Sequence, residues 1–229
     1  KANHPKILKN QLTSNIPEIL PFIAFVALGI PLPLTIILIL SIDLGTDLLP
    51  ALGLGSEDPE SDVMKKKPRS KKERLLTKNM LFMSYGIIGM IQAAAGFTTY
   101  FFILFSGGWS WGQELLVTDP LYLRAVTGFF ASIIIAQIAD VLICRTRRQS
   151  LFKVGLKNKL VLIGILAEIL LLCFIVYVPF ANTFFGTAPL TLLELSISIP
   201  FALLIFFGDE IRKVFVRREN KFVKKYLCW

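Results

Sequence analysis

Windows of about 20 mostly apolar residues, the length that crosses a bilayer as a helix, recur six times along this chain. They fall at about 12–30, 33–53, 80–105, 125–144, 159–179 and 193–208. Hydrocarbon offers the backbone no hydrogen-bond partner, so each stretch must satisfy its own amides and carbonyls as a helix. The expected fold is therefore all-α, a polytopic bundle of six transmembrane helices forming one membrane domain over 1–229. The composition agrees. A chain of 229 residues that is 54% hydrophobic, with a mean hydropathy of +0.64, is too apolar for an ordinary soluble domain. One broken buried helix of a soluble protein would account for the first two windows, but not for the spans that accompany them. Those two are joined at Gly29-Ile30-Pro31-Leu32-Pro33, where prolines lacking an amide donor predict a tight hairpin.

The charges orient the bundle. The net charge of +9 could suit nucleic acid or an anionic membrane surface, and position decides between them. Lys1, Lys6 and Lys9 precede the first span, and Lys65, Lys66, Lys67, Arg69, Lys71, Lys72, Arg74 and Lys78 lie between the second and third. Arg145, Arg147, Arg148, Lys153, Lys157 and Lys159 lie between the fourth and fifth. Arg212, Lys213, Arg217, Arg218, Lys221, Lys224 and Lys225 follow the sixth. Of the basic residues, the other three loops hold only Arg124. Positive residues favour the cytoplasmic side, so both termini and the loops at about 54–79 and 145–158 are expected there. As juxtamembrane anchors these residues leave no case for nucleic acid. The segment from Glu57 to Lys78 is expected to be a charged, partly helical loop. The chain opens at Lys1 without an initiator Met, as expected for a piece of a longer polypeptide. Cys144, Cys173 and Cys228 are odd in number and form no CxxC pair, and the lone His4 cannot build a histidine metal site.

Five carboxylates fall inside the spans: Glu18, Asp43, Asp47, Asp140 and Glu168. No Lys or Arg is expected at their depth. An acid at the bilayer centre costs about 2.5–3.5 kcal/mol on the insertion scale. These acids must be protonated, or must face water or a bound cation. Glu168 alone could be a packing residue, but a cation pathway accounts for the whole set. Ser14, Asn15 and Glu18 share one side of the first helix, as do Asp43 and Asp47 on the second and Gln137 and Asp140 on the fourth. Pro17 cannot donate to the carbonyl of Thr13, which frees that oxygen near Glu18. Gly45 between the two aspartates, with Pro50 following, predicts local unwinding of the second helix. Irregular backbone at this depth is tolerated where it lines an ion cavity. Carboxylate, amide, hydroxyl and carbonyl oxygens make a hard-oxygen site for alkali or alkaline-earth cations. Interhelical hydrogen bonding is the other reading of Ser14 and Asn15. Gly86, Gly89 and Gly96 are expected to serve close helix packing.

At these residues a family resemblance becomes visible. Leu12-Thr-Ser-Asn-Ile-Pro-Glu18, Pro31-Leu-Pro-Leu34 and Ile42-Asp-Leu-Gly-Thr-Asp47 resemble the fifth and sixth membrane helices of the sodium/potassium branch of the P-type cation-transporting ATPases. Glu60-Ser-Asp-Val-Met64, Met83-Ser-Tyr-Gly86, Ile138-Ala-Asp-Val-Leu-Ile-Cys-Arg-Thr-Arg-Arg148, Lys157-Asn-Lys159 and Asp209-Glu-Ile-Arg-Lys213 extend the likeness in order. The Asp-Leu-Gly-Thr-Asp element is particular to the sodium/potassium and proton/potassium branch.

The resemblance implies the last six of ten membrane helices of a plasma-membrane pump that exchanges Na+ and K+ by alternating access. Ser14, Asn15, Glu18, Asp43 and Asp47 would coordinate two shared cation sites. Thr13, Gln137, Asp140 and Glu168 would match the region of a third, sodium-specific site. Mg2+ and ATP would belong to cytoplasmic domains outside this chain, which carries no Asp-Lys-Thr-Gly-Thr phosphorylation motif. The partners implied are the remaining helices and domains of the same pump and the lipid bilayer. The departures bear on the third site and on a further partner. Asn10 replaces a tyrosine, and Ala167-Glu168 replaces a tandem acid pair. Ser14 stands where the gastric proton pump carries a lysine. The short stretch at 106–124 lacks the family's beta-subunit recognition motif, with only Trp111-Gly112-Gln113 loosely similar, so no beta-subunit requirement is expected.

Alternatives from the residues are a self-contained six-helix secondary transporter or channel subunit, an accessory bundle that modulates a pump, and a calcium- or proton-transporting P-type ATPase. Arg147-Arg148-Gln149-Ser150 reads either as a basophilic kinase site or as a loop lying on the membrane.

Overall fold

The computed structural model describes residues 4–57 and 76–218. The Glu60–Met64 motif, the basic cluster 65–74 and the final segment through Trp229 lie outside the described residues. Among the described residues every regular element is helical. Six helices are long and apolar enough to cross a membrane: Pro5–Leu28, Ile36–Gly55, Lys78–Ser106, Pro120–Cys144, Lys159–Tyr177 and Leu192–Arg217. The chain is a multi-pass membrane protein, and each of the six helices overlaps one apolar window, the first starting well before its window.

The helix ends depart from the windows for local reasons. The fourth span begins at Pro120 because the Asp119 carboxylate accepts from the Leu121 amide at 2.8 Å, and proline suits the first helical turn. The sixth span opens on a capping box between Thr191 and Glu194. It then runs to Arg217, well beyond 208. Along this extension Arg212 Nε meets Asp209 at 2.7 Å, and Lys213 Nζ meets Asp209 at 2.9 Å and Glu210 at 3.1 Å.

The fourth span is the most enclosed and carries the main apolar core, in which Val126, Phe129, Phe130, Ile133 and Ile134 are fully buried. The expected hairpin occupies the turn after Leu28, where Gly29 takes a positive φ of 62°. Two tyrosines clamp it: Tyr100 Oη donates to the Pro31 carbonyl at 2.7 Å, and Tyr122 Oη to that of Leu32 at 3.0 Å. Gly89 and Gly96 serve close packing as expected. A Cβ on Gly89 would come within 2.8 Å of Ile16, and one on Gly96 within 2.8 Å of the Phe129 ring. Gly86 instead faces Phe82 of its own helix.

Several basic residues expected as lipid-facing anchors are buried in the protein. Arg145 is 1% exposed and grips Glu57 with two nitrogens, at 3.1 and 2.9 Å. Its remaining nitrogen donates to the Gly155 carbonyl at 3.0 Å. Asn158 reaches the same glutamate at 2.9 Å. Arg212 and Lys213 are likewise buried in the ion pairs of the sixth span. Ser150 is buried and donates to Glu210 at 2.6 Å. That contact occupies the serine hydroxyl, which a kinase would need accessible. The loop between the fourth and fifth spans is thereby tied to the end of the sixth.

Candidate cation site

The first span supplies Thr13, Ser14, Asn15 and Glu18 and contains Pro17 and Pro21. Neither proline has an amide hydrogen, so the carbonyls of Thr13 and Pro17 lose their helical donors. The second span changes its winding where the acids lie. It is α-helical over Ile36–Ser41, π-helical over Ile42–Asp47, and α-helical again over Leu48–Gly55. The expected unwinding thus takes the form of a widened turn that stays helical. Such π segments concentrate at functional sites. Gly45 lies in this turn directly against Leu171 of the fifth span, and a Cβ there would force the terminal methyl of that leucine to turn away. Thr46 Oγ1 donates to the Ile42 carbonyl at 2.8 Å, a local bond that competes with the helical ladder.

These two helices bring Glu18, Asp43 and Asp47 together. One carboxylate oxygen from each lies within 4.8 Å of the others. Glu18 and Asp47 are buried, while Asp43 is exposed on the described surface. Ser14 Oγ donates to Asp47 Oδ2 at 2.7 Å, and Gln137 Nε2 donates to Asp47 Oδ1 at 3.2 Å. Three helices therefore converge on Asp47. Thr46 Oγ1, whose one proton is shared with the Ile42 carbonyl, also lies 3.3 Å from Gln137 Oε1. Asn15 Nδ2 approaches the Tyr85 hydroxyl at 3.5 Å. Tyr85 lies in a second π-helical stretch, Phe82–Gly89.

Among the described residues the buried carboxylate oxygens Glu18 Oε1, Glu168 Oε2 and Asp209 Oδ2 have no hydrogen-bond partner, and of these only Asp209 Oδ2 has a counter-charge, the Lys213 ammonium at 2.9 Å. A buried acceptor left this way calls for a proton, a water or a cation. Glu168 is 1% exposed and lies one turn before Leu171, on the side of the fifth span that meets the π turn. The donor set is therefore hard oxygen from carboxylate, hydroxyl and amide groups, which suits an alkali or alkaline-earth cation.

The structure parts the four residues expected around a third site. Gln137 joins the Asp47 cluster, and Thr13 turns its hydroxyl to the Lys9 carbonyl at 2.7 Å. Asp140 pairs with Lys9 at 3.1 Å, both side chains being at most 1% exposed. This corrects the expectation that no basic residue lies at the depth of the acids. The first helix starts at His4, so Lys9 is helical and points into the bundle. Its spacing was the available signal: Lys9 is one turn before Thr13 and stacks on the same face. Tyr85 and Thr46 were also missed as neighbours of the site. Both lie inside the motifs quoted for the resemblance, but their roles depend on π-helical winding.

The fold and the site define a helical membrane protein with a carboxylate cluster between its first and second spans, joined by Gln137 of the fourth. Comparison with known proteins gives the family. The family model described as "Cation transporting ATPase, C-terminus" matches residues 31–215, and the chain belongs to this family. The sodium/potassium-transporting ATPase subunit alpha-4 of Rattus norvegicus is 42% identical over 242 aligned residues, covering 95% of this chain and 24% of that protein. The human alpha-4 subunit gives the same figures. The human alpha-2 subunit is 42% identical over 94% of this chain and 24% of its own length. The chain spans about a quarter of the length of these relatives.

Proposed function

We propose that this chain is the cation-binding membrane part of an ATP-driven P-type pump that exchanges Na+ and K+ across the plasma membrane. The observation that carries this reading is the meeting of Glu18, Asp43 and Asp47 within 4.8 Å beside the orphaned Glu18 oxygen. In this reading Ser14 and Asn15 supply neutral oxygens, Gln137 steadies Asp47 through its Nε2 donor, and Glu168 approaches from the fifth span. Neutral ligands dilute the carboxylate field, which favours a monovalent ion over the six to eight oxygens that Ca2+ takes. Asp43 is exposed beside the exposed leucines Leu40 and Leu44. An acid on such a face needs a protein partner, which further helices of the pump would supply.

ATP and Mg2+ act in this reading through domains outside the chain. Their phosphorylation cycle would shift the first and second spans between two arrangements of the cluster, each with its own ion preference. The π turn at Ile42–Asp47 is the element best placed to change its winding. Six crossings put both ends of the described chain on one side, the cytoplasmic side by the positive-residue bias. The short 106–124 stretch, where Trp109 Nε1 donates to the Gln113 carbonyl at 2.8 Å, is closed on itself and is proposed to need no beta subunit.

The test is ion-stimulated ATP hydrolysis by the full-length protein. Activation by Na+ with K+ supports the reading. Activation by micromolar Ca2+ instead would assign it to calcium transport, and ion flux without ATP hydrolysis would assign it to a secondary transporter.

A further inference from the structure

Lys9 and Asp140 form a second charged centre beside the Glu18, Asp43 and Asp47 cluster, with Asp140 within electrostatic reach of Asp47. The Lys9 ammonium is fully buried and donates to Asp140 Oδ1 at 3.1 Å and to Cys144 Sγ at 3.3 Å. The Cys144 thiol in turn faces Asp140 Oδ2 at 3.7 Å. Asp209 and Arg212 of the sixth span lie within electrostatic reach of the ammonium, but Asp209 is already paired with Arg212 and Lys213. The lysine backbone is also pinned, since its carbonyl accepts from Thr13 Oγ1 at 2.7 Å and from Ser84 Oγ at 3.4 Å.

We propose that Lys9 is a resident cation, holding the Asp140 carboxylate closed so that Asp140 takes no transported ion. An ammonium and an alkali ion carry the same charge, and both are bound by carboxylate oxygen. A tethered ammonium is present at a local concentration that a diffusing ion cannot match. It cannot leave with the transported ions. The carboxylates open to cargo are then Glu18, Asp43, Asp47 and Glu168, none of which has a lysine or arginine ion pair among the described residues. Lys9 thereby sets how many ions the membrane domain binds. The inference rests on the pump reading above.

Removing the ammonium alone leaves a buried carboxylate without its counter-charge, and Na+ is the available replacement. Removing both charges together leaves nothing for an ion to bind. The experiment is equilibrium binding of radioactive Na+ to purified full-length protein, counted per mole of protein. Lys9→Met is expected to bind one more Na+ than the wild type. The charge-neutral pair Lys9→Met with Asp140→Asn is expected to bind the wild-type number. This pair keeps the test decisive if the single variant fails to fold, because swapping both partners of a buried ion pair is tolerated far better than orphaning one. An unchanged count in folded Lys9→Met, or a loss of one Na+ in the double variant, overturns the proposal. Asp43→Asn in the same assay is the separate control: a full wild-type count there would refute the pump site and leave the role of Lys9 to be read from the other two variants.

Discussion

Ser14 Oγ lies 2.7 Å from Asp47 Oδ2, binding the first span to the π-helical turn of the second. A hydrogen bond to a charged group contributes about 1.5–3 kcal/mol. In the intact protein Ser14→Ala removes both this anchor and a neutral ligand. The Na+ and K+ concentrations for half-maximal ATPase activation are expected to rise about threefold to thirtyfold, or about 0.7–2 kcal/mol. Steady-state ATPase assays across an ion series measure this, with fluorescence-detected gel filtration to confirm folding.

Tyr85 tests the reach of the site. Its hydroxyl is 3.5 Å from Asn15 Nδ2, a long contact that holds the amide loosely. Tyr85→Phe is expected to change the same activation constants by less than about threefold, under about 0.7 kcal/mol. An effect larger than that of Ser14→Ala would mean that the phenol, and not the Asn15 amide, faces the ion.

The Arg145–Glu57 pair is a stability element remote from the ion cluster. Removing one partner of a buried pair costs about 3–5 kcal/mol, because the other charge stays buried. Glu57→Ala should therefore lower the thermal midpoint in detergent sharply. Glu57→Ala combined with Arg145→Met should recover much of the loss. Equal losses in the single and double variants would show that the pair is not coupled.

Helix contact at Gly89 gives a packing prediction. A Cβ there would approach Ile16 at 2.8 Å and the Ser84 carbonyl at 2.9 Å. Gly89→Ala pushes the first and third spans apart and is expected to cost about 1–3 kcal/mol of stability, as overpacking does. Gly208→Ala is the matched control, since nothing lies within 4 Å of its added methyl. Thermal unfolding of the two variants should separate them clearly.

The spans were legible because apolar length alone sets a membrane helix, and the site acids were legible because a carboxylate in hydrocarbon demands a reason. What escaped the sequence depended on registers and long-range contacts. Lys9 looked like a lipid anchor because basic residues before a span usually are, and only the helix start at His4 turns it inward. Arg145 looked the same, and its partner Glu57 lies 88 residues away in the chain. Gln137 and Asp140 share a helix face, yet one meets Asp47 and the other Lys9, a division that periodicity cannot supply. Gly45 announced a break in the second helix but not that the break is a π turn against Leu171.

The central claim is that Glu18, Asp43 and Asp47 hold the transported cation, and Asp43→Asn tests it most directly. This change keeps the size of the side chain and removes its charge. The measurement is ATPase activity of the full-length protein against Na+ and K+ concentration, on variant and wild type at matched folded yield. The account predicts that Asp43→Asn folds normally and loses monovalent-cation-stimulated activity. Activation constants within about twofold of wild type, under about 0.5 kcal/mol, would contradict it.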